Sequence, residues 1–270
     1  MINFATIGDV TLHYKVEGPH GATPLVFINS LGTDLRIWDG VVPHFDHSFR
    51  IVRYDKRGHG LSDSAPGPYT LADERADLLG LLAHLDLQAP IVVGISVGGM
   101  IALDYATRYA VQALVVAASA LRFGTRDAWQ ARSAAIRENG MEMMAPTLAP
   151  RWFAPGFATT HPATFQGYVN MLGRMPAGGY MATCDLLADT DISDLVRAVK
   201  APVLVLGGAQ DQASPPEVVH RLAAVLPNAR VALLENAGHL PCIEQPAAMA
   251  REMTAFFAEQ GLMDGEGVDE

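Results

Sequence analysis

The chain has 270 residues, half of them hydrophobic and 18% charged, so it can bury enough apolar surface to offset its ordering entropy, which excludes a mostly disordered protein. The 29 acidic residues outnumber the 19 basic ones and give a formal charge of −10. Because phosphate contacts need clustered Lys and Arg, this balance argues against nucleic acid as a partner.

The predicted elements begin with a hairpin and continue as alternating strands and helices. Residues 3–7 and 10–16 alternate in polarity and are joined by a Gly-Asp turn, which is typical of an antiparallel pair. Continuous apolar runs predict buried parallel strands at residues 25–28, 51–54, 91–93, 114–116, 203–206 and 231–234. Helical spacing of apolar residues predicts helices at residues 71–85, 97–108, 216–226 and 246–258. This alternation predicts an α/β fold with a mostly parallel sheet and helices on both faces.

Residues 120–190 interrupt this alternation. They contain two tryptophans, several methionines and a run of Pro and Gly, and they predict helices and loops without a strand. We therefore expect an α/β core formed by residues 1–119 and 191–260, with residues 120–190 as a helical lid inserted over the top of the sheet. Residues 261–270 are acidic and contain glycine, which predicts a flexible tail.

The two cysteines and the apolar stretches indicate no disulfide framework, metal site or membrane span. Cys184 and Cys242 do not have the spacing of metal ligands. The N-terminus lacks a basic region, so we expect no signal peptide. The apolar stretch 87–103 contains Pro90 and three glycines, which favours a buried strand, turn and helix over a membrane span. We therefore expect a protein of the reducing cytoplasm without a membrane partner.

The segment Gly94-Ile95-Ser96-Val97-Gly98 matches G-x-S-x-G between a predicted strand and a predicted helix. A serine in this sharp turn has positive φ, so its neighbours two positions away must be glycines. The helix that follows offers free N–H groups to a developing oxyanion. The alternative is a glycine-rich packing turn with an incidental serine, and the flanking elements favour the nucleophile.

A serine nucleophile needs a base, and the base needs an orienting carboxylate. In this strand order the acid and then the histidine follow the serine, each in a loop after a strand. Asp211 and His239 meet this condition and are predicted to join Ser96 at the carboxyl ends of neighbouring strands. Asp191 and Asp194 compete with Asp211, but they precede the strand rather than follow it.

The loop after the third predicted strand is expected to complete an oxyanion hole. We assign its two donors to the backbone N–H groups of Leu31 and Val97. Gly32 is expected to let this loop approach the serine. Asn29 and Ser30 are predicted to hold the loop through side-chain hydrogen bonds.

Residues 55–62 (DKRGHGLS) form a second motif after the fourth predicted strand. Two glycines, a carboxylate and an arginine are typical of a tight turn fixed by internal polar contacts. We interpret His59 in this turn as structural, because no step of the chemistry needs a second histidine.

These motifs together resemble the α/β-hydrolase family over about residues 10–260. Within it, residues 29–38, 54–62 and 94–100 are similar to the 3-oxoadipate enol-lactonases, although Asn29-Ser30 stands where many relatives have His-Gly. The resemblance implies cleavage of a small-molecule enol-lactone to 3-oxoadipate through an acyl-enzyme. It places this reaction in the β-ketoadipate pathway of aromatic-acid breakdown and implies no cofactor and no metal.

The implied substrate carries a carboxylate, so an acidic protein must supply a local positive site. Residues 120–190 contain six arginines, and Arg132 lies one helical turn from Trp129. A guanidinium can bind a carboxylate through two parallel hydrogen bonds. We expect Trp129, Arg132 and Trp152 to contact the substrate, the alternatives being a solvated helix face for the arginine and lid core for the tryptophans.

Other hydrolases of this fold remain open alternatives: a general esterase, a C–C bond hydrolase or a perhydrolase. A haloalkane dehalogenase is disfavoured because Ser96 stands where that reaction needs a carboxylate. A ligand receptor built on the same scaffold is the alternative outside enzymes, and an intact set of Ser96, Asp211 and His239 argues against it. The sequence does not indicate an oligomeric state.

Overall fold

The computed structural model describes residues 3–263, and its strands form a single sheet. The strands are β1 (Asn3–Ile7), β2 (Val10–Glu17), β3 (Pro24–Ile28), β4 (Arg50–Tyr54), β5 (Ile91–Ile95), β6 (Ala113–Ala117), β7 (Val203–Gly208) and β8 (Ala229–Leu234). Their order in the sheet is β1-β2-β4-β3-β5-β6-β7-β8. β2 runs antiparallel to both of its neighbours, and the six strands from β4 to β8 are all parallel, with β3 between β4 and β5. The predicted α/β fold is confirmed.

The central strands are buried along their whole length. Every residue of β3, β5, β6 and β7 is buried, as expected for parallel strands covered by helices on both faces. The edge strand β8 is only half buried at most positions. The carboxyl ends of the central strands therefore form a rigid edge on which loops can be held.

From β4 onward, helices connect successive strands along the chain, and two further helices follow β8. The helices are α1 (Leu71–His84), α2 (Val97–Ala106), α3 (Arg126–Leu148), α4 (Phe157–Thr160), α5 (Pro162–Gly173), α6 (Ala177–Asp189), α7 (Pro216–Val225), α8 (Pro241–Glu244) and α9 (Pro246–Glu259). A capping box starts α1: Thr70 Oγ1 accepts from Asp73 N at 3.2 Å, and the Asp73 carboxylate accepts from Thr70 N at 2.9 Å. None of the helices within residues 3–263 is long and apolar enough to cross a membrane.

Residues 120–190, the helical segment, contain α3 to α6, and the described chain has no strand between β6 and β7. The long helix α3 bends at Gly140, where φ is 77°. α3 packs along α6 and α5. The predicted tail begins just beyond α9, and its residues 264–270 lie outside the described part of the chain.

The helix α6 touches the core backbone to backbone. A Cβ atom on Gly58 would lie 2.6 Å from the Gly179 Cα, and a Cβ atom on Gly67 would lie 2.6 Å from the Ala182 Cβ. Real Cβ atoms do not approach other atoms so closely, so both core positions require glycine. The helical segment is thus fixed against the loop that follows β4.

Candidate active site

The nucleophile turn has the strained geometry that its sequence predicts. Ser96 lies between β5 and α2 with φ 59° and ψ −122°, and the residue is 7% exposed. A Cβ atom on Gly98 would lie 2.5 Å from the Ile28 carbonyl oxygen, and one on Gly94 would collide with the Gly98 carbonyl. Both glycines are therefore needed for close packing of the turn. The turn is fixed by hydrogen bonds from Ser119 Oγ to the Ser96 carbonyl and from Ser96 N to the Ala117 carbonyl, each 2.8 Å long.

The predicted acid and base form a buried pair. His239 Nδ1 donates to Asp211 Oδ2 at 2.8 Å, and the two residues are 5% and 3% exposed. Asp211 also accepts from Ser214 Oγ at 2.5 Å and from Ala213 N at 2.7 Å. Burial raises the pKa of the Asp211 carboxyl, but His239 and these hydrogen bonds outweigh burial and hold the pKa below its usual value. The carboxylate therefore stays ionised and can stabilise an imidazolium.

The three residues lie at one edge of the sheet. Ser96 follows β5, Asp211 follows β7 and His239 follows β8, all at carboxyl ends. A side chain on Gly208, the last residue of β7, would collide with the carbonyls of the loop that carries His239. Glycine at this position lets the acid loop and the histidine loop touch. The ring of Phe123 meets the His239 ring edge to face, with centroids 6.5 Å apart.

The loop after β3 carries the predicted oxyanion donor. The N–H groups of Leu31 and Val97 make no hydrogen bond to another group within residues 3–263. The loop is closed by Asn29 Nδ2, which donates to the Thr33 carbonyl, and by Thr33 Oγ1, which donates to the Ser30 carbonyl at 3.1 Å. The prediction for Asn29 is confirmed. The prediction for Ser30 is wrong, because its backbone carbonyl holds the loop rather than its hydroxyl.

Gly32 has a different role from the one predicted. A Cβ atom on Gly32 would lie 2.7 Å from Leu172, 3.0 Å from Trp152 and 3.1 Å from Tyr180. All three neighbours belong to the helical segment, whereas the prediction concerned an approach to the serine. The glycine is needed because the helical segment lies directly on the loop, and its φ of 80° favours glycine as well.

The motif after β4 contacts the oxyanion loop, which sequence reasoning missed. Gly32 N donates to His59 Nε2 at 3.2 Å, and His59 Nδ1 donates to the Arg57 carbonyl at 3.0 Å. Lys56 Nζ lies 2.9 Å from His59 Nε2. Burial and the charge of Lys56 hold the His59 pKa well below its usual value, so the ring is neutral and Nε2 can accept. The available signal was the pairing of β3 with β4, which brings the two loops together.

Lys56 also interacts electrostatically with a second buried titratable group, Glu74. Lys56 and Glu74 are both 0% exposed, and neither carboxylate oxygen of Glu74 has a hydrogen-bond partner within the described chain. Burial lowers the pKa of Lys56 to about 8, against the opposing charges of Glu74 and Asp55. Burial raises the pKa of Glu74 to about 7, against the opposing charge of Lys56.

The predicted substrate residues lie around the base and the oxyanion loop. Trp129 Nε1 donates to the Phe123 carbonyl at 2.7 Å, and the Arg132 guanidinium lies 4.7 Å above the Trp129 ring. The Phe123 ring in turn packs on His239, so contacts through Trp129 and Phe123 link Arg132 to the base. Trp152 is 8% exposed, faces Gly32, and accepts through its carbonyl from Leu240 N at 3.0 Å.

A cavity of about 960 Å³ lies beside the site rather than at the triad. It is bounded by the short helical turn Leu35–Trp38, by α5 and by the residues around α8. Gly32 is part of its wall, whereas Ser96, Asp211 and His239 are not. The candidate site is therefore defined by its hydrogen-bond geometry and not by the size of this cavity. Residues 3–263 contain no group of three or more His, Cys, Asp or Glu side chains that could hold a metal ion.

Comparison with known proteins gives consistent matches along nearly the whole chain. Residues 23–246 match the family model described as the alpha/beta hydrolase fold. The chain is 34% identical over 254 residues to 3-oxoadipate enol-lactonase 2 of Acinetobacter baylyi, which covers 93% of this chain and 94% of the relative.

Two solved structures extend this similarity. The enol-lactonase from Burkholderia xenovorans LB400 has a TM-score of 0.92 and 30% identity, covering 95% of this chain and all of the other. A thermophilic esterase from Thermogutta terrifontis, with malate bound, has a TM-score of 0.88 and 26% identity, covering 96% and 99% of the two chains.

Proposed function

Since the chain belongs to the α/β-hydrolase family and hydrolyses lactone or ester bonds as its relatives do, we propose that its substrate is 3-oxoadipate enol-lactone and its nucleophile Ser96. The observation that carries the catalytic assignment is the 2.8 Å hydrogen bond between His239 and Asp211, on the same sheet edge as the strained Ser96 turn, and the similarity to enol-lactonases supports the substrate. The reaction belongs to bacterial aromatic-acid breakdown in the β-ketoadipate pathway, and two buried, unpaired cysteines are consistent with the cytoplasm.

In the proposed first half-reaction, His239 accepts the Ser96 proton as Ser96 Oγ attacks the lactone carbonyl. The free N–H groups of Leu31 and Val97 stabilise the oxyanion. Collapse of the tetrahedral intermediate breaks the ring C–O bond, and His239 returns its proton to the departing oxygen, which gives an enol and leaves His239 neutral. The enol becomes a ketone, which makes ring opening favourable, and the departing oxygen is a better leaving group than an alkoxide.

In the second half-reaction, His239 removes a proton from water, and the resulting nucleophile attacks the acyl-enzyme. The tetrahedral intermediate releases Ser96, which regains its proton from His239. Asp211 holds the imidazole in the tautomer that has Nε2 free and stabilises its cation in both halves.

Recognition of the substrate carboxylate is assigned to the helical segment, which we propose to be a lid. Arg132 supplies the positive charge, and Trp129 holds its guanidinium in place by stacking. Trp152 forms an apolar wall over the oxyanion loop. The malate bound to the Thermogutta terrifontis esterase supports carboxylate recognition on this scaffold.

Substitution of the nucleophile tests the proposal directly. Ser96→Ala should lower turnover of 3-oxoadipate enol-lactone by roughly 10⁴–10⁶-fold, because acylation has no other nucleophile. Loss of the enol-lactone ultraviolet absorbance measures the rate, and simple esters serve as a comparison panel. Turnover of a folded Ser96→Ala protein within tenfold of the unsubstituted enzyme would refute the assignment, and a clear preference for simple esters would refute the lactone.

Arg132→Ala tests carboxylate recognition separately. We expect KM for the enol-lactone to rise about 10- to 100-fold with little change in kcat, because a charge-assisted hydrogen bond is lost from ground state and transition state alike. A neutral p-nitrophenyl ester should be hydrolysed at an unchanged rate. Arg137→Ala, on an exposed part of the same helix, is the matched control. Equal losses for both substrates would exclude Arg132 as the carboxylate site.

A further inference from the structure

Glu244 joins two segments that flank the proposed base. Its Oε1 accepts from Ala154 N at 2.8 Å, and its Oε2 accepts from Gly238 N at 2.6 Å. Gly238 immediately precedes His239, while Ala154 belongs to the helical segment. The Glu244 carboxylate therefore accepts one N–H hydrogen bond from each of these two segments. Both bonds are charge-assisted, which makes them stronger than hydrogen bonds between neutral groups.

The same two segments touch at other points. Leu240 N donates to the Trp152 carbonyl at 3.0 Å, on the far side of His239 from the Glu244 contact. A Cβ atom on Gly238 would lie 2.5 Å from Ala154 N, so the two backbones meet without room for a side chain. Residues 152–154 and 238–240 therefore form one packed unit around the histidine.

This unit also reaches the oxyanion loop, because the Trp152 ring would lie 3.0 Å from a Cβ atom on Gly32. Burial raises the pKa of the Glu244 carboxyl, and the hydrogen bonds from Ala154 and Gly238 oppose that shift. The chain thus keeps a partly buried carboxylate whose two oxygens are both occupied by backbone N–H groups. An apolar residue here would leave both N–H groups unpaired.

We propose that Glu244 is a positioning residue that binds the His239 loop to the helical segment, so that the base and the wall over the substrate keep a fixed relative position. The proposal rests on the proposed function for its kinetic consequence. Its structural consequence, a shared carboxylate that protects two backbone amides, is independent of any activity.

The test compares Glu244→Gln with Glu235→Gln, a matched control at an exposed glutamate four residues before His239. The glutamine retains the shape but replaces one acceptor oxygen with an NH₂ group, so one backbone N–H loses its partner. We expect kcat per titrated active site to fall about 10- to 100-fold with KM nearly unchanged. The loss should be equal for p-nitrophenyl acetate and for the enol-lactone, since both use His239. Glu244→Ala should lose more, and Glu235→Gln should match the unsubstituted enzyme.

Amide hydrogen exchange supplies the second readout. One of the two N–H groups, that of Ala154 or that of Gly238, should exchange faster in Glu244→Gln, and both should exchange faster in Glu244→Ala, at unchanged exchange of the central strands. Glu235→Gln should leave both rates as they are. Unchanged protection of both amides, or a lowered unfolding temperature with kcat per active site unaltered, would overturn the proposal. A loss confined to the enol-lactone would also overturn it, because the histidine would then be unaffected.

The two readouts separate this inference from the proposed function. If the unsubstituted protein cleaves neither the lactone nor simple esters, the proposed function fails. The exchange rates at Ala154 and Gly238 then still decide whether Glu244 joins the two segments.

Discussion

Two buried histidines, His239 and His59, belong to loops of the candidate site, and their neighbours differ in charge. His239 faces the Asp211 carboxylate through Nδ1 at 2.8 Å, whereas His59 lies 2.9 Å from the Lys56 ammonium. The carboxylate accepts a hydrogen bond from the His239 ring, while burial and the ammonium hold the pKa of His59 well below its usual value. The imidazole is therefore suited to act as a base at His239 and as a neutral hydrogen-bond acceptor at His59.

The charge of the neighbouring side chain, and not the imidazole itself, determines whether each histidine is suited to act as a base or as a hydrogen-bond acceptor. A base must take up and release a proton in each half-reaction, so it needs a neighbour that stabilises the cation. A ring that accepts a hydrogen bond from the Gly32 N–H must keep Nε2 unprotonated, so it needs a neighbour that destabilises the cation. Three substitutions test this difference, from the largest expected effect to the smallest.

Removal of the base should have the largest effect. His239→Ala is expected to lower kcat by roughly 10⁵–10⁶-fold, because no group remains to activate Ser96 or the water. His220→Ala, at an exposed histidine on α7, is the control and should retain full activity. Steady-state rates with the enol-lactone measure the effect. Retention of even a tenth of the activity in His239→Ala would remove the distinction between the two histidines.

Removal of the charge beside the base should cost less. Asp211→Asn is expected to lower kcat by roughly 10⁴-fold, since the neutral amide no longer stabilises the imidazolium. The folded-state pKa of Asp211 lies below its usual value, so the carboxylate stabilises the fold above about pH 4, and that contribution is lost as the pH falls through the folded-state pKa. Chemical unfolding at neutral and acidic pH should accordingly show a stability loss in Asp211→Asn that shrinks towards acid. A loss that grows towards acid would contradict the assigned direction.

Removal of the neutral acceptor should have the smallest effect. His59→Ala is expected to lower kcat about 10- to 100-fold, less than removal of an oxyanion donor itself, because the Gly32 N–H loses only the partner that holds the loop. His59→Gln offers an amide oxygen to Gly32 and should recover part of the activity. The ring of His59, followed by nuclear magnetic resonance in the unsubstituted protein, should not titrate above about pH 6, because burial and Lys56 hold its pKa well below the usual value. A titration of this ring in that range would remove the contrast with His239.

The fold follows from local sequence more completely than the site does. Each parallel strand is a continuous apolar run, so the predicted and observed strands differ by no more than two residues at either end. Differences of two residues occur at Gly94-Ile95 in β5, at Gly207-Gly208 in β7 and at Ala229-Arg230 in β8, where a glycine or a charged residue interrupts the apolar run. The strained turn at Ser96 was predictable because a fixed five-residue pattern carries it, and its positive φ is confirmed.

The contacts that His59 and Glu244 make in the site were not predictable, because in each of them one partner is a backbone N–H group. His59 accepts from Gly32, and Glu244 accepts from Ala154 and Gly238. Every residue has such a group, so the sequence does not indicate which one a distant side chain will bind. The roles of Ser96, Asp211 and His239 in catalysis, and those of Trp129, Arg132 and Trp152 towards substrate, stay predictions for the experiments above.

The contact between Gly58 and Gly179 limits how this enzyme can be adapted to other substrates. Because α6 meets the core with no side chain between the two backbones, even a methyl group at Gly58 would push that helix outward. Selection for bulkier substrates is therefore expected to accumulate replacements in α3 and α5. It should leave α6 and residues 153–154 unaltered, because their backbones meet Gly58 and Gly238 directly. A library randomised over both groups of residues would reveal this asymmetry as a one-sided distribution of active variants.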